Sequence, residues 1–263
     1  MNKIGIKDTT EIALEIGRIL LQSGATANRV ELMLHKVCFA LGYQHSDSYV
    51  TPTGIFLSVS DSADSLTTSI KRIDNRRTDL GKITRLSRFV YELETTKCKG
   101  GRCSLQAADI RKELFWIDNE RTYPTWLTVL CGGITSGCFC LLFGGSWAEF
   151  GVAYLVGVLV SLTLNFLSLI NINNFLLHIA GSAAVVLFAK LLDLVVPGIK
   201  LDNIIIGGIM LLVPGLSFVN AIRDSMSGDL VSGTARAVEA LFIAVAIATG
   251  SGVMLKLWEL WGL

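Results

Sequence analysis

Beyond Thr125 the chain carries five apolar stretches, at 126–143, 148–170, 175–196, 204–222 and 237–255, of 18, 23, 22, 19 and 19 residues. At about 1.5 Å rise per residue, roughly 20 apolar residues cross the hydrocarbon core of a bilayer. The Asp, Glu, Lys and Arg content of the five is limited to Glu149, Lys190, Asp193 and Glu239. Residues 1–123 differ: they hold 18 Lys+Arg and 15 Asp+Glu, against 5 and 7 in 124–263, so 33 of 45 charges precede the first stretch. The expectation is an α+β domain over 1–123, followed by an α-helical polytopic membrane domain of about five transmembrane helices over 124–263.

Charge also suggests an orientation. Met1 to Glu11 is polar, without the apolar core of a signal peptide. Arg111, Lys112 and Arg121 precede the first stretch, and Arg223 and Arg236 flank the connection after the fourth. Five spans place both regions on one side and leave Lys200 and Lys256 for the other. By the positive-inside rule residues 1–123 are then cytoplasmic and the C-terminus lies outside.

Within 1–123, Asp8 with Glu11 reads as a capping box, and Ile12, Ile16, Ile19 and Leu20 recur at helical spacing until Gly24. A second helix runs from about Thr26 to Leu41, with Gly42 as its stop. Runs 47–51, 54–60 and 65–71 read as strands, and helices over about 78–96 and 104–120 lead into the apolar half. Cys131, Cys138 and Cys140 act as small apolar residues. Cys98 and Cys103 bracket a Lys-Gly-Gly-Arg segment that reads as a plain loop. His35 and His45 complete no four-ligand set with that pair, so neither metal nor cofactor is expected.

Polar residues in the apolar half line up on helix faces. At 100° per residue, Gly157, Ser161, Asn165 and Ser168 fall within about 80° of one another. Such a face serves close helix packing or a substrate path, and Asn165 is the residue packing explains least. In the fourth stretch Pro214-Gly215 interrupts the helix midway. This is either a simple proline kink or the broken helix by which transporters expose backbone groups to a substrate. Ser217, Asn220 and Asp224 follow on one face, beside Arg223. On the next helix Asp229, Ser232, Arg236 and Glu239 share an arc of about 80°, as a structural ion-pair network or as one that binds a charged solute.

The segment Pro214-Gly215, Asn220-Ala-Ile-Arg-Asp224, Gly228-Asp229, Ser232-Gly-Thr-Ala-Arg236 and Glu239-Ala240 resembles the threonine/serine exporter family. Ser23-Gly-Ala-Thr-Ala-Asn-Arg29-Val-Glu31 and Val50-Thr-Pro-Thr53 are similar to that family's N-terminal motifs. The resemblance implies a secondary exporter of the bacterial inner membrane. It further implies the large subunit of a split form, since the chain stops at Leu263, where the fused form continues into a second membrane module. The split form is associated with succinate-like dicarboxylates and the fused form with threonine and serine.

The expected function is therefore export of a small carboxylate metabolite together with a separate small membrane subunit, in the lipid bilayer and open to homo-oligomer formation, with no nucleic-acid role. Arg223 and Arg236 would neutralise the substrate carboxylate. Glu239 or Asp229 would carry the coupling proton, because low dielectric favours the neutral carboxyl. Arg29, Glu31 and Thr53 belong to the N-terminal motifs; Arg29 and Glu31 either cap the strand layer or meet substrate or partner. No nucleophile–base pair marks an enzyme. The alternatives are a membrane-embedded hydrolase using Ser232 or Ser217, and a membrane-anchored ligand sensor.

Overall fold

The computed structural model describes residues 4–61, 66–74, 78–99, 102–120, 123–170, 172–196 and 198–260. Ser65, Gly100, Gly101 and Arg121, used above, lie outside the described residues. In chain order the elements are α1 (Ile6–Gln22), α2 (Ala27–Ala40), β1 (His45–Thr51), β2 (Gly54–Ser60), β3 (Leu66–Arg72), α3 (Leu80–Glu92, continuing as a π-helical turn Leu93–Lys97), β4 (Cys98–Lys99), β5 (Arg102–Cys103) and α4 (Ala107–Asn119). The apolar half follows with α5 (Thr125–Leu142), α6 (Trp147–Ser168), α7 (Asn174–Asp193), α8 (Leu201–Ile209), α9 (Gly215–Met226) and α10 (Leu230–Leu260). Internal contacts divide the chain into two units, one of Met1–Thr122 with Leu216–Ala237, the other of Tyr123–Gly215 with Val238–Leu263.

The first unit is built on an antiparallel meander β1-β2-β3. Thr51 pairs with Gly54, so Pro52 and Thr53 form a two-residue turn. Alternation sends Val50, Ile55, Leu57 and Val59 to the buried face, where they join Ile12, Ile16, Leu20, Val30 and Leu34 of α1 and α2 in one core. Helix α1 comes closest at Gly17, where a Cβ would lie 2.8 Å from Ile55 Cδ1. The expected capping box at Asp8 does not form. The helix starts earlier, with Gly5 as N-cap, and Asp8 and Glu11 both accept from Arg111 of α4, at 2.6 and 2.7 Å. Cys98 is disulfide-bonded rather than a free loop thiol; its register partner across β4–β5 is Cys103.

In the second unit α5, α6, α7 and α10 are, among the described residues, the 4 helices long and apolar enough to cross a membrane. The fourth stretch departs from the single helix expected there. It is not one helix but α8 and α9, of 9 and 12 residues, and neither has the length of a span. Pro214 lacks an N–H and disfavours helical backbone at Val213, so residues 210–214 turn instead. The division of the chain shifts with the break: residues 216–237, read from sequence as membrane domain, belong to the first unit.

Small residues let the second unit close up. Ser136 on α5 is in contact range of both α6 and α8: a Cβ on Gly157 would lie 2.6 Å from Ser136 Cβ, and one on Gly207 2.5 Å from its carbonyl oxygen. Gly132 meets Ser161 in the same way, and Gly250 of α10 meets Ile179 and Ser182 of α7. The Gly157/Ser161 face is thus a helix-packing face. Asn165 and Ser168, farther along it, are exposed and bonded only to their own helix, Asn165 Nδ2 to Ser161 O at 2.9 Å and Ser168 Oγ to Asn165 O at 2.8 Å.

Gly207→Val forces backbone apart where a Cβ has no room. We expect it to lower stability by about 1–3 kcal/mol, the usual cost of overpacking, while Gly252→Val, which meets open space, leaves stability unchanged. Thermal unfolding of the detergent-solubilised protein checks both.

Candidate functional site

Two helix-ending turns of the same kind prepare the site. Helix α1 ends with Gly24 at φ +93°, Gly24 N bonding Leu21 O at 3.2 Å and Ala25 N bonding Leu20 O at 3.0 Å. This paired arrangement needs the left-handed backbone that glycine supplies most readily. The α9–α10 connection repeats it at Gly228, φ +89°, with Gly228 N to Ser225 O at 3.1 Å and Asp229 N to Asp224 O at 3.0 Å. Asp229 then caps α10, its Oδ1 accepting from Ser232 N at 3.1 Å.

The two turns are joined through side chains of α9 and α10. Asn220 Nδ2 donates to Gly24 O at 3.0 Å, and Arg236 Nη2 donates to Ala25 O at 2.8 Å. Arg236 Nε also lies 3.0 Å from Asp224 Oδ2, an ionic contact without hydrogen-bond alignment, with the two side chains only 5% and 0% exposed. Burial pushes the Asp224 carboxyl above the usual carboxylate range, the Arg236 guanidinium pulling it back. At Gly233 a Cβ would lie 2.9 Å from Ser225 N, so α10 crosses α9 at nearly backbone contact.

The same node closes the edge of the sheet. Val50 stands opposite Ile55 on β1, an edge strand, and its outward-facing peptide groups are those that would otherwise recruit another strand. Glu31 Oε1 of α2 accepts from Val50 N at 3.0 Å, and Ser232 Oγ of α10 donates to Val50 O at 3.2 Å. Glu31 thereby meets the strand layer at Val50. Burial pushes its carboxyl up, the Val50 N–H opposes this, and the charge of Asp229 adds to the rise. Both N-terminal motifs and most of the C-terminal one therefore meet around Gly24–Ala25 and Val50.

Other expected residues stand apart from the node. Arg223 is exposed on α9, and Arg29, exposed on α2, donates to Ser87 Oγ at 2.9 Å. Thr53 is exposed in the β1–β2 turn, where its carbonyl accepts from Ile73 N at 3.0 Å. Pro214 and Gly215 form the break before α9, and Glu239 lies half-buried on α10, one turn beyond Arg236. Ser232 directs its hydroxyl to a carbonyl rather than to a base. Among the described residues no group of three His, Cys, Asp or Glu side chains is placed to hold a metal ion.

One residue carries more than the sequence reading gave it. Glu149 is 5% exposed. Its Oε2 accepts from Ser146 N at 2.9 Å and Asn203 Nδ2 at 3.2 Å, and its Oε1 from Lys200 N at 2.9 Å. The local part was legible: Ser146 followed three residues later by Glu149 is a capping box. The contact to α8, 51 residues away, was not.

Four long apolar helices beside a charged α+β unit define a multi-pass membrane protein. The chain belongs to the threonine/serine exporter family, whose sequence model matches residues 11–258. It is 26% identical to a probable succinate transporter subunit of Escherichia coli K12 over 96% of each chain, and 27% identical to the like-named protein of Klebsiella aerogenes, covering 96% of this chain and 95% of that one. It is also 24% identical to the threonine/serine exporter of Corynebacterium glutamicum, over 95% of this chain and 51% of the longer protein. No solved structure matches the chain.

Removing one member of the buried pair strands the other charge. Arg236→Ala is expected to cost about 3–5 kcal/mol, and the double replacement Asp224→Leu/Arg236→Met to recover most of it. Unfolding midpoints of the three proteins test this; a double variant no better than Arg236→Ala would show that the pair is not the source of the loss.

Proposed function

We propose that this protein is a subunit of a bacterial inner-membrane secondary exporter for small carboxylate metabolites, a succinate-like dicarboxylate or threonine/serine, that works with a separate small membrane subunit. The observation that carries the reading is the interruption of the fourth apolar stretch at Pro214–Gly215 in a member of an exporter family. A broken helix leaves backbone groups without intrahelical partners, which a polar solute can engage. The end-to-end similarity to proteins described as succinate transporter subunits supports both the dicarboxylate and the need for a partner.

In this reading the fourth stretch crosses as the broken pair α8–α9, so that the α+β unit is cytoplasmic and the C-terminus lies outside, as the placement of Arg111, Lys112, Arg223 and Arg236 favours. Arg223 is the cation for the substrate carboxylate, because it is exposed on α9. Arg236 acts by positioning, since its guanidinium is engaged by Asp224 and Ala25 O. Asp229 and Glu239 remain the carboxyl groups closest in sequence to that pair, and we assign them to proton coupling.

Efflux from preloaded cells tests the reading. The chain expressed alone should export neither succinate nor threonine, and co-expression with its small partner should restore efflux of one of them. Arg223→Ala should reduce that efflux at least tenfold with normal membrane insertion. Full efflux by the chain alone would overturn the requirement for a partner, and normal efflux by Arg223→Ala would remove Arg223 from the mechanism.

A further inference from the structure

Glu149 joins two helix N-termini through one carboxylate. In α6 it completes the capping box with Ser146, whose Oγ accepts from Glu149 N at 3.3 Å. In α8 it takes the N–H of Lys200, the residue that caps that helix, together with the Asn203 side-chain amide. Each of the three groups held by the carboxylate is a donor, two peptide N–H groups and one amide NH₂. Such a set suits an ionised carboxylate: a protonated carboxyl brings an O–H that must itself donate. Only Asn203 can turn to offer it an oxygen. The charged and titratable groups facing the carboxylate are the Lys200 ammonium at the head of α8 and the Cys140 thiol of α5.

Helix α8 is suited to respond. It has 9 residues and ends in the turn before Pro214, so it lacks the length that steadies a full span. Its lateral contacts run through Gly207 and Gly208, which allow close packing, and through Ile204, buried in the apolar core of this unit.

We propose that Glu149 is a proton-operated latch on the half-helix α8: charged, it fastens the head of α8 to α6, and proton binding releases it. Resting on the exporter reading above, this makes Glu149 a coupling carboxylate of the transport cycle. Its action is one of positioning, since it moves α8 rather than touching the solute.

Hydrogen–deuterium exchange of Leu201–Ile209, in the protein reconstituted in lipid nanodiscs and corrected for the intrinsic pH dependence of exchange, reads the latch directly. In the unmodified protein, protection of α8 should fall about tenfold on acidification through a single-proton transition, with α7 unaffected. Glu149→Gln should show the low protection at every pH. Asn203→Ala, which removes one donor from the carboxylate, should keep the transition and shift it roughly one unit to higher pH. Protection independent of pH in the unmodified protein, or an unshifted transition in Asn203→Ala, would overturn the latch whatever becomes of Glu149→Gln. Efflux under an imposed pH gradient, measured with the small partner co-expressed, separates the two proposals. Export that keeps its gradient dependence in Glu149→Gln removes the coupling role. Export by no form of the protein removes the exporter reading, and the coupling role with it, while the exchange data still decide whether the latch exists.

Discussion

The buried contact between Arg236 and Asp224 sets the terms for the first unit. An arginine cannot shed its charge, and at 5% exposure it must find acceptors inside the protein. It finds an acceptor in the carbonyl of Ala25, 211 residues away, and a counter-charge in Asp224 one element back. That carbonyl is available only because Gly24 ends α1 in a left-handed turn, and Asp224 is in place only because Gly228 ends α9 in the same way. Removing either turn would cost the guanidinium one of these two contacts. The same side chains draw residues 216–237 into a unit whose core is otherwise made by the first 117 residues.

Around this pair the remaining polar contacts protect the sheet. The outward N–H and C=O of Val50 would be an open strand edge without Glu31 and Ser232. One residue of β1 is thereby tied to α2 on one side and to α10 on the other. Movement of the first turn of α10 relative to α2 would strain a hydrogen bond at Val50.

The apolar unit depends on a different constraint. Lipid offers its helices no hydrophobic reason to associate, so close approach and internal hydrogen bonds supply the cohesion. Gly157 and Gly207 meet α5 at Ser136, and Glu149 binds the head of α8. The short helix α8 is held by these small residues, by one carboxylate and by Ile204 in the apolar core of the unit.

The sequence by itself determined the elements whose causes are local. Helical periodicity placed α1 and α2, alternation placed β1–β3, and Gly24 and Gly42 ended helices where expected, because a left-handed turn is written in the glycine itself. Apolar length located α5, α6, α7 and α10, and Pro214-Gly215 marked the break. The motifs around Arg29, Glu31, Thr53, Asn220, Asp229 and Arg236 were also legible, together with the family they indicate. What only the tertiary structure decided is which partners those side chains take. Apolar content made 204–222 look like one span, but Pro214 removes a backbone donor and Asn220 and Asp224 bind the N-terminal unit instead. Helical spacing put Arg236 on a face with Glu239; it could not reveal a carbonyl at Ala25, since long-range contacts leave no periodicity in the chain. Glu149 shows the same division: its capping box is a pattern of four residues, while its hold on α8 exists only once two helix ends have been brought together.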